Sequence, residues 1–410
     1  MKYFKNTELA KLYNVSEKSV RNWIEATRQG KLSLELHLEN GKLYIANTSK
    51  NTPILEHLVS KGKKYRNSRG FKVVTPVEEF YKIYDKKQVL DILSNLTIHK
   101  EIPLQYGYLN GGAESWDHYA KRLAQEQTPN ILTRTTSLLK LNASYIDLLV
   151  GNNRRVNIVD LGPGNGLPAR PIIERLHEQG RLNRYIALDI SQDMLDILEK
   201  NIKTWFSGEV AYEGYVRNFN EERFNDLITE SYLGDDEETP VNLVFLFGGT
   251  LSNFRQPDHV LQVINSSMGP GDIFFYSGYM DTPYTRRYFD LSGTSHDQED
   301  VQQSGLIPSL LRLDESLCDF EQLFDREKRC RFKIMKPKVD LEIHFTIENK
   351  DLGVELNKEE PILLWRHRHY DYVDIVSLLD KNDFNVLQAT KSEDENFVLL
   401  MSKIKLGAQH

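Results

Sequence analysis

The sequence has 410 residues, 40% of them hydrophobic and 27% charged, with a formal net charge of −7. That length supports a sizeable core in two or three domains, and the mild acidity excludes a chain-wide nucleic-acid surface. Cys318 and Cys330 are the two cysteines, which excludes a disulfide framework and a cysteine-rich metal site. With no long apolar leader at residues 1–6 and no run near the roughly twenty apolar residues of a membrane span, the expectation is a cytoplasmic chain with no membrane partner and no metal.

Residues 6–13 read as a short helix capped by Asn6 or Thr7, and Asn14-Val15-Ser16 reads as a turn. Residues 17–29 read as a second helix with Val20, Trp23 and Ile24 on one face, ended by Gly30. Residues 32–36 and 42–46 alternate around Glu39-Asn40-Gly41, which predicts a hairpin. Residues 55–64 read as a helix running into a basic stretch, 61–70, that reads as a linker. Residues 77–96 read as a helix that begins the next domain. Residues 106–117 are rich in turn formers and open onto a helix, and an amphipathic helix is expected to reach about Val150.

The most informative stretch is Val156-Asn157-Ile158-Val159-Asp160-Leu161, followed by Gly162-Pro163-Gly164-Asn165-Gly166. An apolar run ends in a carboxylate, a glycine turn follows, and residues 168–178 can continue as a helix. This predicts a buried parallel strand and the first crossover of an α/β sheet. A second run, Tyr185-Ile186-Ala187-Leu188-Asp189, again ends in a carboxylate, placed as the ribose ligand is in doubly wound sheets. The spacing Gly-x-Gly-x-Gly is not the dinucleotide fingerprint; with Asp160 before the turn and Asp189 later, the stretch resembles the S-adenosylmethionine (SAM) methyltransferase variant of the fold. Residues 212–219 read as a third strand and 234–238 as a solvated acidic loop. Residues 241–247 and 271–277 read as further strands, with Gly248-Gly249-Thr250-Leu251-Ser252-Asn253-Phe254 breaking the first. Later, 339–347 and 362–365 read as antiparallel strands, 374–380 as a helix and 397–404 as a closing strand.

Two resemblances follow from these residues. Residues 1–50, as helix, tight turn, helix and hairpin, resemble a MerR-like or excisionase-like winged helix-turn-helix. That resemblance implies a DNA partner, with Lys18, Arg21, Asn22, Arg28 and Lys31 facing it and Lys42 on the wing. From about Gln105 onward the chain resembles the histidine-specific SAM methyltransferase family, which includes ergothioneine-pathway enzymes and a dimethylallyltryptophan N-methyltransferase branch. Residues 108–117, Thr133-Arg134, the Gly162 turn with Asp189, and 248–254 carry that likeness.

The second resemblance implies a Rossmann-like methyltransferase sheet, a second α+β substrate domain and SAM as cofactor. Tyr108 would touch the cofactor, Gly162 and Gly164 would pass under its methionine portion with Gly166 closing the turn, Asp189 would bind the ribose, and Asn218-Phe219 would hold the adenine. Gly248 and Asn253 would meet the acceptor, Asn253 gripping its amino-acid backbone. Trp365 and His367 stand where the family places a glutamate and a serine on the histidine imidazole, and Pro168 stands where it often has a lysine. Asn130 is the residue nearest to a displaced family tyrosine by the amine. Tyr279, Tyr284, Tyr288 and Phe289 are candidates for the acceptor wall. The expected domains are 1–73, 74–280 for SAM and 281–410 for the substrate. The expected reaction is N-methylation of an amino acid or related small amine other than free histidine; the alternatives are a SAM-binding transcription regulator and a macromolecular methyltransferase.

Overall fold

Val156–Leu161, with every residue buried, is an interior strand of a seven-stranded sheet. This computed structural model describes residues 3–13, 15–67, 71–109, 111–126, 128–151, 154–228, 239–288, 305–348 and 350–405, without the side chains of 60–67 and 288. The expected turn residue Asn14, the acidic loop 234–238, Phe289 and the side chain of Tyr288 lie outside the described residues.

The strand order is Phe384–Lys391, Phe397–Ile404, Ile273–Tyr279, Val241–Leu246, Val156–Leu161, Leu182–Asp189 and Tyr212–Val216. The last five are parallel; Phe397–Ile404 is antiparallel to Ile273–Tyr279 and to Phe384–Lys391. Both faces are covered. Ile158, Tyr185, Ala187, Phe245 and Phe275 belong to one apolar cluster, and Val159, Leu161, Ile186, Leu188 and Phe274 to the other. A sheet buried on two sides needs apolar residues on both parities, which is why these strands read as continuous apolar runs. The next strand in sequence lies on one side of Val156–Leu161 and Val241–Leu246 on the other. That reversal opens a crevice at the carboxyl ends, where Gly162 and Gly248 both stand.

The described residues form two compact units, 1–73 with Val339–Glu342, and 74–338 with 343–410. The larger one holds the seven-stranded sheet and an antiparallel sheet of Cys318–Asp325, Cys330–Pro337 and Ile362–Arg368.

In the smaller unit, Asn6–Leu12 is a helix whose N-cap is Lys5, not Asn6 or Thr7, with the Lys5 N–H donating to Glu8 at 2.9 Å. Glu17–Arg28 is the second helix, capped by Ser16, with Val20 and Ile24 buried. The hairpin is present, but its first strand is Leu36–Glu39, paired with Lys42–Ala46. Asn40 (φ 50°) and Gly41 (φ 75°) make the tight turn, both left-handed as a two-residue hairpin requires. The linker reading is corrected over 61–67, where one helix runs Asn51–Asn67, and residues 68–70 lie outside the described residues.

Elsewhere 77–96 divides into Glu78–Ile83 and Lys86–Ile98, because Asp85 caps a new helix by accepting the Gln88 N–H. The segment to Val150 divides likewise into Ile131–Leu141 and Ala143–Val150. The third sheet strand ends at Val216, leaving Asn218 and Phe219 in the loop beyond it.

Candidate functional site

Gly162, Gly164 and Gly166 all adopt left-handed φ values, 66°, 55° and 83°. A Cβ on Gly164 would lie 2.6 Å from Nε1 of Trp116, and one on Gly166 would lie 2.4 Å from Cδ1 of Leu198. Glycine is therefore demanded twice there, by backbone conformation and by neighbours. A Cβ on Gly162 would rest 3.6 Å from the Phe219 ring, so that ring flanks the loop from the far side.

The helix Gly112–Gln125 packs Trp116 and Asp117 against this loop. Buried Asn165 donates from Nδ2 to Asp117 Oδ1 at 2.9 Å, and Asn201 Nδ2 donates to the Asn165 carbonyl at 3.0 Å. The sequence reading gave none of Trp116, Asp117 and Asn165 a role. Their signal was present, since Trp116-Asp117 ends the turn-rich segment and Asn165 sits inside the glycine turn. Tyr108 meets Trp116 edge-on at 6.3 Å between ring centroids. Its segment, Leu104–Tyr108, is anchored by Tyr106, whose hydroxyl donates to Asp91 at 2.9 Å.

Two carboxylates stand at the strand ends in different settings. Asp160 is fully buried and accepts from the Tyr185 hydroxyl at 2.8 Å; burial pushes its carboxyl up to about 7. Asp189 is half-buried, ends Leu182–Asp189 and accepts the Ser191 N–H at 2.9 Å; burial pushes it up to about 6 against those backbone donors. Among the described residues no cationic side chain pairs with Asp189. Asn218 Oδ1 accepts the Asn220 N–H at 3.3 Å, and Phe219 meets Phe254 edge-on at 6.0 Å.

Across the crevice, Val241–Leu246 ends in Gly248 and Gly249, with φ 78° and 74°, and a single 3-10 turn, Thr250–Asn253. Asn253 Oδ1 lies 3.4 Å from His367 Nδ1, and a Cβ on Gly249 would lie 3.5 Å from the same ring. His367 stacks on Trp365 at 5.7 Å with 18° between planes, and meets His369 edge-on at 5.2 Å. Two-residue spacing along one strand puts these three rings on one face; just before them Lys333 pairs with Trp365 but Ile334 with Leu363, so Leu364 is an extra residue, a bulge. Burial, then the neighbouring His369 and Arg331, lowers His367 to about 3; burial first lowers His369 to about 4. Both rings are neutral near pH 7.

The structure thus gathers Gly162, Gly164, Phe219 and Tyr108 on one side, and Asn253, Trp365 and His367 on the other. It does not gather all the tyrosines. Tyr279 is buried beside Phe397 and Arg134, at 5.2 and 6.0 Å, and Tyr284 is 49% exposed. Asn130, the residue nearest to the displaced family tyrosine, is a helix cap: its Oδ1 accepts the Leu132 and Thr133 N–H groups and its Nδ2 donates to the Leu123 carbonyl. Arg134 is engaged by Asp394 through two hydrogen bonds.

The family model described as histidine-specific methyltransferase, SAM-dependent, matches residues 85–404. The chain belongs to that family. This methyltransferase family uses SAM, and the protein is a SAM-dependent methyltransferase with a Rossmann-like α/β fold. No curated protein matches the chain. Among solved structures it is similar to a SAM-dependent methyltransferase from Clostridium acetobutylicum, at 11% identity over 71% of this chain and 98% of that one, with a TM-score of 0.36. It is also similar to magnesium protoporphyrin IX methyltransferase from Synechocystis with bound SAH, at 10% identity over 73% and 98%, TM-score 0.39. A third is 1,6-didemethyltoxoflavin-N1-methyltransferase from Burkholderia thailandensis, at 10% identity over 72% and 85%, TM-score 0.36. Among the described residues no helix is long and apolar enough to cross a membrane, and no group of His, Cys, Asp and Glu side chains could hold a metal. Cys318 and Cys330 are both buried free thiols.

Proposed function

We propose that the protein methylates the nitrogen of an amino acid or related small amine, and that free histidine is not that substrate. The observation that carries this is the Trp365–His367 stack beside Asn253. These rings offer a planar face and neutral nitrogen edges where the family holds an imidazole with a carboxylate. A planar or aromatic acceptor satisfies such a wall; a histidine imidazole loses its ionic partner.

The SAM side is read from the same chain. The glycine cradle admits close approach of a ligand to backbone, and Asp189 keeps a half-buried carboxylate with no cationic partner among the described residues, which suits ribose hydroxyls. Tyr108 and Trp116 cover the loop, and Phe219 with Asn218 would take the adenine. SAM supplies a methyl carbon on a sulfonium, an already activated leaving group, so the protein's work is positioning and desolvation. Asn253 would orient the amine, which must lose its proton before it attacks; residues 74–280 would carry the cofactor side and 281–410 the acceptor side. Competing histidine against a panel of aromatic amino acids and amines, with isotope-labelled SAM and mass detection, tests this. The reading expects histidine to be turned over at least about a hundredfold less efficiently than the best acceptor, as unmatched polar groups in a site cause. Efficient trimethylation of histidine contradicts it.

A second reading concerns the N-terminal unit by itself, where a helix, a capped helix and a hairpin follow in order. Lys18, Arg21 and Arg28 are exposed on the second helix, although Arg28 is engaged by Glu25 at 3.1 Å. This supports a DNA contact by that helix. Salt-sensitive binding of the full chain to duplex DNA by fluorescence anisotropy, lost in Arg21→Ala with Lys18→Ala, would bear it out. Salt-insensitive or absent binding favours a protein-docking module.

A further inference from the structure

A cavity of about 440 Å³ opens beside the acceptor-side sheet, lined by Arg286, Arg287, Phe324, Arg326 and Arg331. Four guanidinium groups line it and, among the described residues, no carboxylate does. Arg286 is matched by Asp281, at 2.6 and 2.5 Å, and Arg331 donates to the Arg286 carbonyl at 2.9 Å. Arg287 and Arg326 are exposed, and among the described residues neither has a carboxylate in ion-pair range. The neighbouring basic hollow is different. There Arg329 is matched by Asp371 and Asp374 at 2.7 and 2.5 Å, and Asp374 itself lines the wall. The excess of positive charge is therefore a property of the first cavity and not of the whole face.

Phe324 is the floor of the arginine group: Arg286 and Arg331 lie over its ring at 5.8 and 5.5 Å. The same ring meets His369 edge-on at 5.5 Å, His369 meets His367 at 5.2 Å, and His367 reaches Asn253. Arg331 is also the register partner of His367 on the adjoining strand. A continuous row of neutral rings thus leads from the amine-orienting asparagine to the arginines. Planar, cationic groups of this kind suit bidentate capture of carboxylate or phosphate.

We propose that this cavity holds an acidic group of the methyl acceptor, a carboxylate or phosphate carried at the end remote from the methylated nitrogen. The proposal rests on the amine-methylating reading above and adds the charge of the substrate to it. An acceptor anchored at both ends is fixed along the ring row, with its amine left at Asn253. Free histidine has no second acidic group to reach the arginines.

Calorimetric titration of inorganic phosphate and of succinate into the full chain tests the site and separates the two chemistries. At least one should bind at millimolar concentration or better, more weakly as salt rises. Arg287→Ser with Arg326→Ser, both exposed, should weaken it at least roughly tenfold. With the acceptor in hand, the same variant should raise KM and leave kcat unchanged. Equal anion binding in both chains, binding of neither anion, or an unchanged KM overturns the proposal. SAM titrated into the same preparations reports on the underlying reading separately: a wild-type chain that binds the anion but not SAM overturns that reading and not the anion site.

Discussion

Asn165 Nδ2 donates to Asp117 Oδ1 at 2.9 Å, and both residues are buried. Through this bond the helix Gly112–Gln125 holds the glycine turn from the side. Lys121 pairs with the other Asp117 oxygen at 2.7 Å, so the carboxylate is satisfied only while both donors are present. Asn165→Ala leaves a buried acceptor short of a donor, at a cost of about 1–3 kcal/mol. Urea denaturation should show that loss, and SAM affinity should fall with it because the turn loses its brace. Full stability in Asn165→Ala would remove the brace from the account.

Asp189→Ala deletes the carboxylate proposed for the ribose hydroxyls. Hydrogen bonds to a charged group contribute on the order of 1.5–3 kcal/mol, so SAM affinity should fall at least roughly tenfold by calorimetry. An unchanged Kd places the ribose elsewhere.

The buried Asp160 gives a pH signature. Its folded carboxyl sits near 7, above its ordinary value of 3.8. The folded state therefore holds the proton more tightly, and the associated stability is full below pH 4 and is lost as pH rises to 7. Asp160→Asn keeps an acceptor for the Tyr185 hydroxyl and carries no charge. At pH 8 it should be more stable than the parent by about 1–4 kcal/mol, with the difference shrinking toward pH 4. Parallel stability profiles for the two proteins would show that Asp160 ionises without cost.

His367 has the opposite sign. Its folded imidazole is held down near 3 by burial, so the unfolded chain takes the proton first. Stability tied to this ring is present above pH 6.5 and is lost as pH falls toward 3. His367→Gln should flatten the acid limb of the stability profile measured from pH 7 to 4. An unaltered limb means the ring is hydrated and accessible.

The strand, turn and helix at 156–178 were legible because a strand buried on both faces has no alternation to confuse, and because left-handed backbone at Gly162, Gly164 and Gly166 leaves glycine as the natural choice. Gly248 to Phe254 was legible for the same reason. The capping role of Asn130 was not, since a capping asparagine and one in a turn look alike until the N–H groups it accepts are seen. The strand Cys318–Asp325 escaped notice because it is a sheet edge with mostly exposed residues, whose spacing suits a helix as well. Phe384–Lys391 is another edge with few fully buried residues. The helix Asn51–Asn67 was cut short because its lysines and Gly62 resemble a linker; local composition cannot show that the backbone continues. The arginine cavity joins residues from 286 to 331 and could not be read from any one stretch.

The central claim is that this chain moves a methyl group from SAM to the nitrogen of a small amine. Methyl-labelled SAM incubated with the purified full chain and a metabolite extract, followed by mass identification of labelled products, tests it most directly. The account predicts one dominant labelled small molecule carrying the methyl on nitrogen, formed in step with SAH and formed more slowly by Asp189→Ala at limiting SAM. Label confined to macromolecules, to oxygen or carbon, or to histidine would contradict it.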